Sequence, residues 1–95
     1  MATMSDTEVK AALADLPGWE VLGSDIVKEY KLADFAAAMA FVNQVAEAAE
    51  AANHHPDIDI RWNKVRLALS THSEGGLTNN DFALAAEIES LAGTR

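Results

Sequence analysis

The sequence predicts an α+β domain with the element order α-β-β-α-β-β-α. Three observations carry this prediction: helical spacing of apolar residues in three segments, alternation of apolar and polar residues in two pairs of short segments, and turn residues within each pair. Two hairpins separated by a helix most simply form one four-stranded antiparallel sheet with helices packed on one face. The sequence therefore predicts that architecture.

The N-terminal third predicts a short helix followed by a hairpin. Ser5 and Glu8 have the spacing of a capping box, and apolar residues then recur at helical spacing as far as a Pro-Gly pair. Beyond that pair, residues 19–21 and 26–32 flank the turn-forming residues 23–25. These two segments are the first predicted pair of strands.

The central segment predicts the longest helix, from Phe35 to Ala52. Asp34 is a suitable N-cap, and Pro56 ends the helix near Asn53 because proline disfavours helical geometry in the preceding residue. The helical spacing gives one apolar face and a second apolar group beside it. The face consists of Phe35, Met39, Val42, Ala46 and Ala49, and the neighbouring group of Phe41, Val45 and Ala48.

The alternating segments 57–62 and 64–70 predict a second hairpin that turns near Asn63. Trp62 alternates with two isoleucines, so its expected role is packing in the sheet. The opposite sheet face, or an edge strand, would remain for a partner subunit.

The C-terminal segment predicts a flexible loop and a last helix. Residues 73–76 form the loop, and Thr78 with Asp81 repeats the capping spacing before a helix that runs towards Gly93. Neither a repeat nor a low-complexity linker divides the chain, so we expect residues 1–95 to form a single domain.

Composition narrows the classes of function. Fifteen acidic residues against seven basic ones give a formal charge of -8, which repels phosphate backbones and anionic lipid surfaces. We therefore expect a neutral or weakly charged small-molecule ligand, and no binding to nucleic acid or membrane. The absence of cysteine excludes disulfides, thiolate metal ligands and a cysteine nucleophile.

Location and assembly follow from the same composition. The N-terminus has neither a basic nor an apolar signal region, so we expect a cytoplasmic protein. Alanine supplies much of the hydrophobic fraction, and a small core of this kind makes self-association a source of stability. A homo-oligomer is expected.

The three histidines are the informative polar residues. His54 and His55 precede the second predicted hairpin, and His72 follows it. Because the antiparallel return of a hairpin brings its two ends together, all three imidazoles are expected at one corner of the sheet. An imidazole titrates at about 6.5, so such a cluster can both donate and accept protons near neutral pH.

Two other interpretations of these residues remain open. A single histidine is more often a surface or hydrogen-bonded residue than a catalyst, although this explanation is weaker for a clustered trio. Three histidines with Asp57 or Asp81 could also bind zinc, but adjacent histidines tend to point apart and neither HxH nor HExxH spacing occurs. We therefore predict no metal site. Gly75-Gly76 lacks the pattern of a phosphate-binding loop and is expected to be mobile.

The spacing of these residues resembles a known family. Glu50-x3-His54-His55-Pro56-x5-Trp62-x9-His72-x8-Asp81 is similar to the signature of the pterin-4a-carbinolamine dehydratases. The resemblance extends over roughly residues 19–89, and the fixed distances between its anchors make it more specific than the histidine pair alone. It implies dehydration of a 4a-hydroxytetrahydropterin to the quinonoid dihydropterin, the recycling step that follows an aromatic amino acid hydroxylase.

The resemblance also implies roles for individual residues. His54 and His72 would be the general acid and base in an order that stays open, His55 would bind and orient the pterin, and Asp81 would support His72 by a hydrogen bond or by shaping its loop. The residues expected to line the substrate site are Asn53, His54, His55, Pro56, Ser70, Thr71, His72 and Ser73.

The family further implies a reaction without a cofactor and a homodimer or homotetramer. It also includes members that act as dimerisation cofactors for a transcription factor, and related folds that have lost the histidines and assist assembly. A role in protein interaction alone is therefore the alternative prediction, although this chain retains the histidines.

Overall fold

The computed structural model describes residues 3–93, and within them it has the predicted element order. The long helix has the predicted bounds, and the other elements differ from the prediction by a few residues at their ends. In chain order the elements are α1 (Asp6–Leu13), β1 (Glu20–Leu22), β2 (Asp25–Lys31), α2 (Phe35–Ala52), β3 (Asp57–Arg61), β4 (Lys64–Leu69), a 3-10 turn (His72–Glu74) and α3 (Asn79–Gly93).

The four strands form one antiparallel sheet, as predicted, and their order in it is β1-β2-β4-β3. Asp57 at the start of β3 pairs with Ala68 near the end of β4. The segment before β3 and the segment after β4 therefore leave the sheet at the same end, which is where the histidines are predicted to meet.

The predicted helix starts are confirmed by side-chain hydrogen bonds. The backbone N–H of Ser5 donates to Glu8 Oε1 over 2.8 Å, and the N–H of Glu8 donates to Ser5 Oγ over 3.2 Å, which completes the capping box of α1. Asp34 Oδ1 accepts from the N–H of Ala37 over 2.8 Å at the start of α2. These contacts satisfy N–H groups that have no partner within the helix.

The hydrophobic core lies between the helices and one face of the sheet. Alternate residues of the two central strands point into it, and α2 packs against both β4 and α3. The fully buried large side chains of this core are Ile26, Phe41, Val45, Val65, Leu67, Leu69, Leu84 and Ile88. None of the helices within residues 3–93 combines the length and apolar character needed to cross a membrane.

The buried face of α2 differs from the apolar face that the helical spacing predicts. Phe35 is 51% exposed and Ala46 is exposed, whereas Phe41 and Val45, from the neighbouring apolar group, are fully buried. The helix is rich in alanine, so apolar residues cover more of its circumference than one contact can bury. Its rotation is set by the packing of α2 against β4 and α3, which the helical period alone does not reveal.

The predicted packing of Trp62 in the sheet is wrong. Trp62 and Asn63 form the two-residue turn between β3 and β4, and the Trp62 side chain is 67% exposed. The alternation therefore ends at Arg61. Asn63 fixes the turn instead, because its side chain donates to the carbonyl of Leu32 over 3.0 Å and its own carbonyl accepts from the Leu32 N–H over 2.7 Å.

Glu89 on α3 joins the helix layer to the sheet. Its Oε1 accepts hydrogen bonds from Trp19 Nε1 at 3.2 Å, from Lys28 Nζ at 2.5 Å and from the hydroxyl of Tyr30. Burial alone would raise the pKa of Glu89, but the hydrogen bonds from Lys28, Tyr30 and Trp19 and the charge of Lys28 outweigh it and lower that pKa. Burial, and then the contact with Glu89, raise the pKa of Tyr30.

Candidate functional site

A cavity of about 260 Å³ opens at the end of the sheet where β3 begins and β4 ends. All three histidines of the chain line it. Its volume lies just below the range of about 300–1,000 Å³ usual for small-molecule sites, so a bound ring system would remain partly exposed. The lining residues are Asn53, His54, His55, Ser70, Thr71, His72 and Ser73.

The end of α2 positions the two adjacent histidines. Asn53 has the left-handed conformation, with φ 52° and ψ 43°, which asparagine tolerates better than most residues. The N–H of His54 then donates to the carbonyl of Ala49 over 3.0 Å, which closes the last turn of the helix. The chain thus leaves the helix axis at Asn53, so that His54 faces α3 and His55 turns back towards α2.

His54 is held by a carboxylate on α3. Its Nε2 lies 2.5 Å from Oδ1 of Asp81, whose side chain is fully buried. A carboxylate only accepts hydrogen bonds, so with Asp81 ionised the proton of this contact is assigned to Nε2. In the neutral imidazole the lone pair then belongs to Nδ1, which is the nitrogen left for a substrate.

Two threonines hold the other oxygen of Asp81. Oδ2 accepts from the hydroxyl of Thr71 over 2.9 Å and from the backbone N–H of Thr78 over 2.9 Å. The two threonine hydroxyls also lie 2.7 Å apart. Both threonines are buried, and the side chain of Asp81 thereby has partners on both oxygens. This network fixes the carboxylate, and through it the ring of His54.

His55 has a different and more exposed partner. Its Nε2 lies 2.5 Å from Oε2 of Glu50, which is in the last turn of α2. Both side chains are more than half exposed, at 57% and 76%. An exposed pair contributes little to stability, so its main effect is to fix the direction of the His55 ring.

The segment after β4 supplies the other lining residues of the cavity. Thr71 pairs with Gly76 through two backbone hydrogen bonds of 2.9 and 3.4 Å, which close the loop at its base. The 3-10 turn His72–Glu74 lies within this loop, and the side chain of His72 is exposed. His72 therefore lines the same cavity as His54 and His55 and is open to water.

The structure brings together most of the residues that the sequence assigned to the site. Seven of the eight expected lining residues line the cavity, and Pro56 does not. Asp81 was expected to support His72. Its hydrogen bond goes instead to His54, and it reaches the His72 loop only through Thr71.

Sequence reasoning missed two residues of this site. Glu50 is part of the family spacing but received no role, and Thr78 was interpreted only as a helix cap. Thr78 does cap α3, since its hydroxyl accepts from the N–H of Asn80 over 3.2 Å, and the same residue holds Asp81. The capping spacing was thus the available signal for Thr78. For Glu50 the signal was its position one helical turn before the histidine pair.

Two further features of the described residues bear on the chemistry. No group of three or more His, Asp or Glu side chains within residues 3–93 is arranged to hold a metal ion. A larger cavity, of about 450 Å³, lies among α1, the first hairpin turn and Gly75-Gly76, and no histidine lines it. We place the site in the smaller cavity because it contains the groups that can transfer protons.

Comparison with known proteins gives a consistent family. The family model described as "Pterin 4 alpha carbinolamine dehydratase" matches residues 2–91. A protein of Chloroflexus aurantiacus named "Putative pterin-4-alpha-carbinolamine dehydratase" is 55% identical over 93 residues, which cover 98% of this chain and 100% of the relative.

Solved structures agree with the fold. A protein of Brucella melitensis, described as a transcriptional coactivator/pterin dehydratase, superposes with a TM-score of 0.92 at 34% identity, covering 96% of this chain and 99% of that one. A pterin dehydratase-like protein described as a RuBisCO assembly factor in the alpha-carboxysome has a TM-score of 0.65 at 24% identity, covering 79% and 87%. The second comparison bears on the fold alone.

Proposed function

Because the chain belongs to the pterin-4a-carbinolamine dehydratase family, we propose that it removes water from a 4a-hydroxytetrahydropterin and releases the quinonoid dihydropterin. The observation that carries the proposal is the placement of three histidines around one cavity, with His54 held by a buried carboxylate. The reaction breaks the C4a–O bond, removes the proton from N5 and forms a C4a–N5 double bond. It needs one proton acceptor and one proton donor, and no change of oxidation state.

His54 is the proposed general base. Its Nε2–H is engaged by Asp81, so Nδ1 is available to take the proton from N5 of the pterin. As the imidazole gains positive charge, the carboxylate 2.5 Å away stabilises it. The buried position of Asp81 increases this effect, because the local dielectric is lower than that of water.

His72 is the proposed general acid. It lines the same cavity as His54 and is exposed, so an imidazolium at this position can protonate the departing C4a oxygen and regain its proton from water. The leaving group then departs as water rather than hydroxide. The proton taken up by His54 returns to solvent at the end of the cycle, which balances the reaction.

His55 is proposed to bind and orient the pterin, because Glu50 fixes its ring at the mouth of the cavity. Ser70, Ser73 and Asn53 would offer polar groups to the edge of the ring. Thr71 is assigned a positioning role instead, since its hydroxyl is already used by Asp81 and Thr78.

The test is a stopped-flow dehydration assay on a synthetic carbinolamine with His54→Ala, His55→Ala and His72→Ala. We expect His54→Ala and His72→Ala each to lower kcat by roughly 10²–10⁴-fold, the usual contribution of general acid–base catalysis. His55→Ala should mainly raise KM. Wild-type rates in both His54→Ala and His72→Ala would refute the assignment, and loss of activity on exhaustive chelation would favour a metal mechanism instead.

The wider setting is also part of the proposal. We expect one domain over residues 1–95, a cytoplasmic location, and a substrate supplied by an aromatic amino acid hydroxylase. A homodimer or homotetramer is expected because the sheet edges and part of the apolar surface of α2 remain uncovered in one chain. Light scattering that found only a monomer at micromolar concentration would refute the oligomer.

A role in protein interaction without catalysis is the second candidate. The structural relative from Brucella melitensis favours its consideration, since that protein is described as a transcriptional coactivator as well as a pterin dehydratase. The complete histidine site argues for the enzyme. The interaction role would be preferred if replacing all three histidines left the cellular phenotype unchanged.

A further inference from the structure

Three basic residues form a row on the open face of the sheet. Lys31 on β2 pairs with Lys64 on β4, and Lys64 pairs with Arg61 on β3. Their neighbours Tyr30 and Val65 are buried under the helices. Because side chains alternate between the two faces of a strand, all three cations point away from the helix layer. The row spans three adjacent strands, or about 10 Å.

The fold does not account for this row. Like charges directly opposite on neighbouring strands destabilise a sheet, whereas the next row along, Glu29-Arg66-Asp59, alternates in sign. Among the described residues, Arg61 is the one member of the row with an ion pair, from its Nε to Asp59 Oδ1 at 3.2 Å. Three of the seven basic residues of a chain with a charge of -8 are therefore gathered where they repel one another.

Trp62 lies next to the row, at the tip of the same hairpin. It is 67% exposed and has a φ of 51°, in a two-residue turn where glycine, asparagine or aspartate is favoured. A positive φ strains a bulky residue. Because most of the indole is exposed, its burial contributes little to the stability of the fold. Neither the turn nor the core requires tryptophan here.

We propose that Lys31, Arg61, Trp62 and Lys64, called here the tip patch, bind a short acidic segment of another protein that carries an apolar residue for Trp62. Tryptophan and arginine are enriched among the residues that dominate binding energy at interfaces. The cation row would attract carboxylates, and the exposed indole would bury the apolar side chain.

Charge decides between the occupants of this surface. A symmetric contact between two copies through the tip patch would place one cation row against another, which costs free energy. A long nucleic acid would extend beyond the row and meet the acidic remainder of the protein. A short acidic segment matches the length of the row and avoids both penalties.

The experiment selects phage-displayed random dodecapeptides on the immobilised full chain, after depletion on a Lys31→Glu/Trp62→Ala/Lys64→Glu variant. We expect enrichment of acidic peptides with at least one large apolar residue. The most enriched peptide, labelled with fluorescein, is then measured by anisotropy. Absence of enrichment over the depletion variant, or enrichment of neutral or basic peptides, would overturn the proposal.

Single variants give the matched controls. Lys64→Glu and Trp62→Ala should each weaken the binding of the labelled peptide at least tenfold. Raising the salt concentration should weaken the binding of the peptide to the wild-type protein. Lys10→Glu on α1 makes the same charge change, and Leu22→Ala removes an exposed apolar side chain at the far corner of the sheet. Both should bind within twofold of the wild type, and equal losses in test and control variants would refute a local surface.

The remaining arms use a 12-nucleotide single-stranded DNA, vesicles containing phosphatidylserine, and light scattering of the protein alone. Tip-patch-dependent binding of the DNA or the vesicles with higher affinity than the peptide would overturn the proposal. So would an oligomer that dissociates in Trp62→Ala, because the patch would then be a self-interface. Dehydratase activity should stay unchanged in all tip-patch variants, so this proposal and the proposed function can fail separately.

Discussion

Nε2 of His54 lies 2.5 Å from Oδ1 of Asp81, a residue 27 positions later on a different helix. This contact joins the end of α2 to the first turn of α3, and it places a buried negative charge behind the imidazole. The carboxylate also selects which ring nitrogen carries the proton. The contact therefore links the packing of two helices to the direction in which a proton can move.

Asp81→Asn is expected to lower kcat for dehydration by roughly 10²–10⁴-fold. The amide has no charge to stabilise the His54 cation, and its NH₂ group would face either His54 Nε2–H or the donors that hold Oδ2. Nitrogen NMR of the labelled imidazole should show a mixture of tautomers in place of one.

Combining Asp81→Asn with His54→Ala distinguishes an effect of Asp81 on His54 from a purely structural role of Asp81. If Asp81 acts through His54, the double variant should be no slower than His54→Ala alone. Thermal unfolding of both variants supplies the folding control. A further large loss of rate in a folded double variant would contradict the assignment.

Thr71→Val is expected to lower kcat with little change in KM. The substitution removes the hydroxyl that donates to Asp81 Oδ2 and leaves the partner oxygen short of a donor, at a cost of about 1–3 kcal/mol in the free energy of unfolding. Thr71→Ser keeps the hydroxyl and should retain most of the rate. A rise in KM with an unchanged kcat would instead place Thr71 in direct contact with the substrate.

Glu50→Gln is expected to raise KM severalfold and to change stability by less than about 1 kcal/mol, because both members of the exposed pair with His55 are well solvated. Glu47→Gln, one turn earlier on α2 and also exposed, makes the same loss of charge without touching His55. Steady-state kinetics of the two variants distinguish the loss of the contact with His55 from the loss of one negative charge on α2. Equal changes in KM would contradict the orienting role.

The sequence was most informative where a local rule acts alone. The bounds of α2 follow from the Asp34 cap at one end and from Pro56 at the other, and both are local effects. The convergence of the histidines also follows from one hairpin, because an antiparallel pair must return to its own start.

The remaining features depend on contacts between distant elements. The partner of Asp81 is decided by the packing of α3 against α2, and helical spacing does not contain that information. The buried stripe of α2 is equally a tertiary property, since Phe35 and Phe41 are both suitable core residues by type but only Phe41 is buried. Trp62 fails the alternation rule because the strand ends one residue earlier than its apolar pattern.

Glu89→Gln is expected to destabilise the fold by about 2 kcal/mol at neutral pH, because Lys28 loses its counter-charge while Trp19 and Tyr30 keep only a neutral acceptor. The pKa of Glu89 is lowered in the folded state. Its contribution is therefore present above the unfolded pKa of about 4.3 and is lost as the pH falls through the folded value.

Urea unfolding of the wild type between pH 7 and pH 3 checks this dependence. The wild type should lose its advantage over Glu89→Gln below pH 4, so that the two stability curves converge in acid. Glu87→Gln, which removes an exposed carboxylate from the same helix, is the matched control and should remain within about 0.5 kcal/mol of the wild type at neutral pH. A constant difference between wild type and Glu89→Gln across this pH range would show that the carboxylate acts by packing alone, because only an ionised group can lose its contribution on protonation.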